Sequence, residues 1–123
     1  MERVQIGGGL VQVASGSFTF YNDSGPTALL MGSLKQRGFR QLTLTMNNTA
    51  ALTLILQNKV QPNTAFQNYN STAVAAFDVN NPNTFAWDLT ALGDIALVGS
   101  SAVAQDFCWR LEASRAVETL GCQ

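Results

Sequence analysis

Few side chains in this sequence are suited to catalysis or to metal binding. The chain contains no histidine, which removes the most common general base and the most common zinc ligand. Serine–histidine and cysteine–histidine nucleophiles are excluded within the chain for the same reason. Its two cysteines, Cys108 and Cys122, cannot supply a four-ligand zinc site. We therefore expect no catalytic residue, no bound metal and no cofactor.

The carboxylates leave a narrower possibility. Glycoside hydrolysis needs two carboxyl groups that converge on a cleft, one of them with a raised pKa. Asp88 and Asp94 flank one short loop and are the best candidates for such a pair, whereas most other acids fall at predicted turns or outer faces. Calcium at Asp23 or Asp94 is a weaker alternative, because neither loop has the ligand density of a calcium-binding loop. We predict that the protein is not an enzyme.

A run of three glycines, Gly7 to Gly9, interrupts the first apolar segment. Phosphate-binding loops follow such glycines with Lys-Ser/Thr or space them as GxGxxG, and this sequence does neither. Consecutive glycines leave the backbone free to form a bulged strand or an extended arm. Residues 1–15 are therefore predicted to be an N-terminal arm or an edge strand.

Both tryptophans lie in a five-residue pattern that occurs twice. Side chains on a strand alternate between its two faces, so the aromatic and leucine positions of each copy share one face. Turning six large apolar groups to solvent would cost on the order of 10 kcal/mol, since each is worth about 1.5–3 kcal/mol when buried. We predict a structural core here, not a ligand-stacking platform. The predicted core residues are Phe85, Trp87, Leu89, Phe107, Trp109 and Leu111.

The segments that carry these residues are predicted to be short strands. Leu42, Leu44 and Met46 alternate with threonines, and Leu52, Leu54 and Leu56 recur at the same spacing in a second run over 51–57, so we expect an antiparallel hairpin around Asn47-Asn48. Further strands are predicted at 17–21, 28–34, 72–79, 84–89, 94–98 and 107–113. About eight short strands separated by turns indicate an all-β antiparallel sandwich, jelly-roll-like rather than immunoglobulin-like. The sandwich is assigned to residues 16–113 and a tail to 114–123.

The composition of the chain limits the kinds of partner that we expect it to bind. Charged residues make up 12% of the chain and the formal net charge is −1, which gives no electrostatic basis for binding nucleic acid. No apolar stretch reaches the ~20 residues of a membrane span. The first residues also lack the length and flanks of a signal peptide. We expect a protein of the reducing cytosol, not bound to membranes, with both thiols free.

Two regions are candidates for partner contacts. Lys35, Arg37 and Arg40 form the only local basic group, which is either a solvated loop or a contact surface. Residues 60–71 are polar and are predicted to form the longest loop, where specific contacts are most common. In this loop Phe66 and Tyr69 are either exposed anchors or a lid folded back on the domain.

The order of parts from residue 39 to residue 113 resembles small β-sandwich structural proteins of tailed bacteriophages. The resemblance rests on LTLTMNNTAALTLIL, the Phe85-x-Trp87-Asp-Leu89 strand, Leu92-Gly-Asp-Ile95 as a link and the final aromatic strand. It implies a virion protein made in the host cytoplasm, most simply a capsid decoration (cement) protein. Such a protein would clasp the major capsid protein, or another virion protein, as a dimer or trimer.

Two alternatives accompany that hypothesis. Within the virion class, a tail, baseplate or fibre module has the same features. In another class, a carbohydrate-binding β-sandwich would need exposed aromatic rings, and Tyr21, Phe66 and Tyr69 are the candidates.

Overall fold

The computed structural model describes residues 3–25, 32–59, 64–78 and 83–116. In these ranges the backbone forms eight strands and no helix. A helix long and apolar enough to cross a membrane is accordingly not found in the described residues. The strands are β1 (Val4–Val13), β2 (Gly16–Asn22), β3 (Gln41–Met46), β4 (Leu52–Asn58), β5 (Gln67–Val74), β6 (Asn83–Asp88), β7 (Ile95–Ser101) and β8 (Gln105–Ser114).

The strands form two four-stranded sheets. Sheet A has the order β1-β8-β3-β6 and sheet B the order β2-β7-β4-β5. Every pairing in both sheets is antiparallel. The chain changes sheet at each connection except that from β4 to β5, which is the double-sheet arrangement of a jelly roll. The predicted antiparallel, jelly-roll-like sandwich of about eight strands is confirmed.

The core lies between the inner faces of the two sheets. Alternate residues of β3 and β4 point inward, and Leu42, Leu44, Leu54 and Leu56 are at most 1% exposed. Leu97 of the neighbouring β7 is fully buried among them. The period-two pattern seen in the sequence therefore assigns the inward faces of β3 and β4 correctly.

The predicted hairpin around Asn47-Asn48 is wrong. β3 pairs with β6 and β8 in sheet A, whereas β4 pairs with β5 and β7 in sheet B. The segment between them crosses from one sheet to the other. Alternation reports which face of a strand is apolar and contains no information about its partner, so a hairpin and a crossing give the same pattern.

Buried polar side chains fix this crossing. Asn48 is fully buried, and its Nδ2 donates to the carbonyl oxygens of Ala50 and Ala75, each at 2.9 Å. Gln105, at the start of β8, accepts from the backbone N–H groups of Thr49 and Ala50 at 3.0 and 3.1 Å. These side chains satisfy backbone groups that a hairpin would have paired between strands.

Three further predicted segments differ in their boundaries from the structure. The predicted loop over 60–71 is shorter, because its second half belongs to β5; residues 60–63 lie outside the described residues. The predicted strand over 28–34 falls mostly outside them as well, and its described end leads into a turn at 34–38. The strand predicted over 72–79 contributes only the last residues of β5. Because β5 is an edge strand with both faces wet, it lacks the apolar alternation by which strands are recognised.

The glycine-containing segment is an edge strand. β1 pairs with β8 from Val4 to Val13, with a register shift between Gln5 and Gly7. A Cβ atom on Gly7 would lie 3.0 Å from Cη2 of Trp109, so glycine leaves room for the indole ring. The first glycine of the run therefore serves packing inside this chain.

Candidate interaction surface

The repeated aromatic pattern lies on the inner face of sheet A. Its two strands, β6 and β8, are separated by β3. Leu89, Phe107 and Leu111 are buried in the core. The other three residues pack against this cluster but are only partly buried, with Phe85 and Trp87 stacked at a centroid distance of 6.4 Å on the edge strand β6. Trp109 makes an edge contact with Phe20 of the opposite sheet at 5.1 Å.

The described residues contain no group of three or more His, Cys, Asp or Glu side chains that could hold a metal ion. Asp88 is exposed, and Oδ1 accepts from the N–H of Thr90 at 2.9 Å. Hydrogen bonds from Thr90 lower the pKa of the Asp88 carboxyl below its ordinary value. A glycosidase acid requires a raised pKa, so Asp88 does not have the properties of one.

Asp23 is buried and holds one end of the sandwich together. Oδ2 accepts from the N–H of Ile95 at 2.8 Å, and Oδ1 accepts from the N–H of Leu34 at 3.2 Å and from the hydroxyl of Tyr21 at 2.6 Å. Both carboxylate oxygens are occupied by donors from this chain, which explains the residue without a calcium ion. Burial, together with the bond to Asp23, raises the pKa of the Tyr21 hydroxyl above its ordinary value.

The structure brings the predicted basic residues to the same end of the sandwich. Lys35 Nζ donates to the carbonyl oxygen of Leu92 at 3.2 Å. Arg37 lies 5.6 Å from the Phe39 ring centre, and Arg115, which sequence reasoning missed, lies over the same ring at 4.6 Å. Arg40 is exposed. Lys35 is exposed as well, and Arg37 is partly buried. Contacts within the chain do not exclude a contact with a partner, so that role stays a prediction for all three residues. Arg115 is distant from Arg37 in sequence, so only the fold could have revealed this grouping.

The two aromatic candidates, Phe66 and Tyr69, differ in their exposure to solvent. Phe66 is partly buried beneath Lys59, whose Nζ lies 4.8 Å from the ring centre. Tyr69 lies in β5 and is 59% exposed. Tyr21, the third ring of the carbohydrate-binding alternative, is partly buried and bonded to Asp23. The described residues therefore present one well-exposed aromatic ring, which does not make a stacking platform, and that alternative is wrong.

Charge is divided unequally between the two sheets. The strands of sheet A contain Asp88, Asp106, Arg110 and Glu112, and Arg110 Nε approaches Glu112 at 3.4 Å. The four strands of sheet B contain no charged residue at all. Since roughly a quarter to a third of the residues on a soluble surface are normally charged, an entire uncharged sheet is unusual.

The outer face of sheet B is apolar at its centre and polar around it. Ile55 of β4 lies opposite Val98 of β7, and both are half-buried. Thr53 lies between Ala73 and Ser100 in the neighbouring register positions. These small side chains line a shallow depression of about 690 Å³. Depletion of charge around an apolar centre is the composition found in the cores of protein–protein interfaces.

Strand β5 forms a free edge of this sheet. It pairs with β4 on one side only, and all but its last residues are largely exposed. Soluble proteins usually protect such edges with charges or proline, and β5 has neither. Its register with β4 shifts next to Tyr69, which leaves that residue without a partner in the ladder.

No protein-family model and no curated protein matches this sequence. Among solved structures, the chain is similar to one from Bacillus endospore appendages, described as a family of disulfide-linked pili, with 11% identity, a TM-score of 0.47 and coverage of 94% of this chain and 88% of the other. It is also similar to the crystal structure of PirA, with 12% identity, a TM-score of 0.46 and coverage of 92% of each chain. At this identity the likeness concerns the fold alone.

These comparisons correct the functional hypothesis drawn from the sequence. The structures found are an endospore appendage protein and PirA, and neither is described as a phage protein. The resemblance to phage structural proteins is therefore contradicted. The capsid-decoration function, the tail, baseplate or fibre alternative and the virion location are wrong with it. The order of parts on which the resemblance rested also depended on a hairpin that the structure does not contain.

Proposed function

We propose that this chain is a non-enzymatic structural subunit that associates with further copies of itself through sheet B. The observation that carries the proposal is the absence of charged residues from all four strands of that sheet. Most oligomers of identical chains are symmetric, and a two-fold contact places the same residues of both copies close together. A charged patch would then repel itself, whereas an uncharged one does not.

The outer face supports such a contact. Ile55 and Val98 supply an apolar centre, and the surrounding Thr53, Ser100 and Gln57 are polar without charge. Water is displaced from such a surface at a low desolvation cost, because no ionised group loses its hydration. Sheet A has the opposite character, with an Arg110–Glu112 ion pair and Arg3 near the same carboxylate at 3.8 Å. We therefore assign self-association to sheet B and a solvent-facing role to sheet A.

A non-catalytic role agrees with the side chains present. The sequence has no histidine, Asp23 is bound on both oxygens by its own chain, and the pKa of Asp88 is shifted away from that of a general acid. The shallow depression on sheet B is lined mainly by alanine, serine and threonine, which offer no acid–base pair.

The test is the oligomeric state as a function of concentration and salt. We expect light scattering after size-exclusion chromatography to give a dimer or a larger species at micromolar concentration. Because the contact carries no charge, the species should persist between about 0.15 and 1 M NaCl, although such salt screens exposed ion pairs. A monomer at every concentration up to about 1 mM, which corresponds to roughly −4 kcal/mol of association, would refute self-association. Dissociation by salt would refute the assignment to sheet B.

A further inference from the structure

We infer that strand β5 pairs antiparallel with β5 of a second copy, so that two copies of sheet B join into one continuous eight-stranded sheet. The inference rests on the proposed self-association and names the contact through which it occurs. Its basis is the combination, in one strand, of a free edge, extensive exposure and absence of charge.

Comparison of the four sheet edges favours β5. β1 and β2 contact each other along one side of the sandwich, so their edges lie close together. β6 carries Asp88. A symmetric pairing of β6 with β6 of a second copy would place this charge opposite the second Asp88 or one of its neighbours. The uncharged run around β5 extends over all described residues from 64 to 77. An edge of this kind is a template for strand addition, because its outward N–H and C=O groups have no partner strand among the described residues.

The sequence of β5 also suits pairing with itself. Strand β5 spans Gln67–Val74, and its residues from Gln67 to Ser71 are exposed without a break. A two-fold axis at Ser71, close to the middle of the strand, overlaps residues 68–74 of the two copies and sets Tyr69 of the second copy opposite Ala73. Ala73 lines the depression of about 690 Å³ at the end of sheet B where β4 begins and β5 and β7 end. The exposed phenol ring of one copy would thus be placed beside a surface of small side chains on the other.

Two alanine-to-lysine substitutions provide a matched test. Ala73 is exposed on β5, and Ala91 is exposed in the turn between β6 and β7. Ala73→Lys places two like charges close to the axis and should weaken association ~10-fold or more, while Ala91→Lys should leave it unchanged. Sedimentation equilibrium gives the dissociation constants, and thermal unfolding shows whether both variants remain folded.

The outcomes separate this inference from the proposed function. Unchanged association of Ala73→Lys overturns the β5 contact and leaves self-association standing. The β5 contact is also overturned if Ile55→Lys, at the centre of the face, dissociates the protein and Ala73→Lys does not. A monomeric wild-type protein overturns both statements.

Cross-linking tests the register directly. In a chain with Cys108→Ser and Cys122→Ser, Ser71→Cys would face its counterpart across the axis. Directly opposed residues in antiparallel strands have Cα atoms about 4.5–5.5 Å apart, within the range that a disulfide spans. Mild oxidation should therefore give a covalent dimer with Ser71→Cys and not with Ala91→Cys. Equal or absent cross-linking of the two variants contradicts an axis at Ser71.

Discussion

Replacement of Asn48 by aspartate tests the crossing between the two sheets more severely than any other single change. The substitution is nearly isosteric, so it leaves packing in place and alters only hydrogen bonding and charge. Asn48 is fully buried; Nδ2 donates to the carbonyl oxygens of Ala50 and Ala75, and Oδ1 accepts from Asn83 Nδ2 at 2.7 Å. An aspartate would turn a second oxygen toward the two carbonyl groups.

The expected loss of stability is large at neutral pH. The Ala50 and Ala75 carbonyls each lose this donor, but each keeps a second one, Gln105 Nε2 at 3.3 Å and Asn83 Nδ2 at 2.9 Å. The cost therefore comes mainly from the buried carboxylate, whose second oxygen faces carbonyl oxygens and has no donor. An unsatisfied buried group costs about 1–3 kcal/mol, and a charged one costs more. We expect Asn48→Asp to lower the free energy of unfolding by about 3–5 kcal/mol at pH 7, a large fraction of the stability of an ordinary domain.

The loss should depend on pH with a defined sign. Burial without a cation raises the pKa of the new carboxyl in the folded state above its unfolded value of about 3.9. The folded state then retains a proton that the unfolded state releases, so stability falls as pH rises above about 4, by up to ~1.4 kcal/mol per pH unit. Near pH 4 most of the penalty should be absent.

Urea unfolding of Asn48→Asp, followed by tryptophan fluorescence at pH 4 and pH 7, measures both effects. Asn47→Asp is the matched control, because Asn47 is the exposed neighbour of Asn48 and should change stability by no more than about 0.5 kcal/mol. If the two variants unfold alike, or if Asn48→Asp shows no added loss at pH 7 relative to the wild-type protein, Asn48 does not hold the crossing and the stated network is wrong.

Three further predictions concern the packing of the core and the burial of the Tyr21 phenol. Leu111→Ala removes a fully buried side chain and should lower the free energy of unfolding by about 2–5 kcal/mol. Trp87→Ala removes a partly buried ring and should lower it by less per unit of side-chain area removed. An equal loss per unit of side-chain area in denaturant unfolding would contradict the burial described. Gly7→Val would bring a side chain against Trp109 and should lower the melting temperature by several degrees; an unchanged melting temperature would show that the indole does not need this space. Tyr69→Phe leaves Tyr21 as the one tyrosine of the chain, and its buried phenol should ionise well above pH ~10. The stability that the neutral phenol contributes below that pH is then lost as pH rises. Phenolate absorbance that develops at or below about pH 10 would contradict the burial of Tyr21.

The sequence predicts the faces of the strands well and their partners poorly. Alternation in β3 and β4 follows directly from burial on one side, and the structure places those leucines inside. Pairing depends instead on the corner at Asn48, where a buried amide satisfies backbone groups from distant segments. Asn47-Asn48 has the composition of a turn, and nothing local distinguishes a turn within a sheet from one between sheets.

The proposed interaction surface could not be predicted from the sequence, for a related reason. β5 reads as a polar loop because both of its faces are wet, so the residues of a free edge lack the pattern that identifies a strand. Tyr69 is a candidate contact in that predicted loop, and its exposure on β5 keeps it one. Lys35 and Arg40 are exposed too, so the basic residues also stay predicted contacts.

The uncharged character of sheet B could emerge only after its strands were assigned. Charged residues are scarce along the whole chain, so scarcity in any one segment is not informative. The four strands of sheet B are discontinuous in sequence, and segments of sheet A, which carry the charges, lie between them. All of the charged residues in the strands lie in sheet A. A β-sandwich with an exposed edge strand that carries neither charge nor proline is open to uncontrolled edge pairing, unless a specific contact occupies that edge. Pairing through β5 would be such a contact, because it converts the edge into an interior position of a larger sheet.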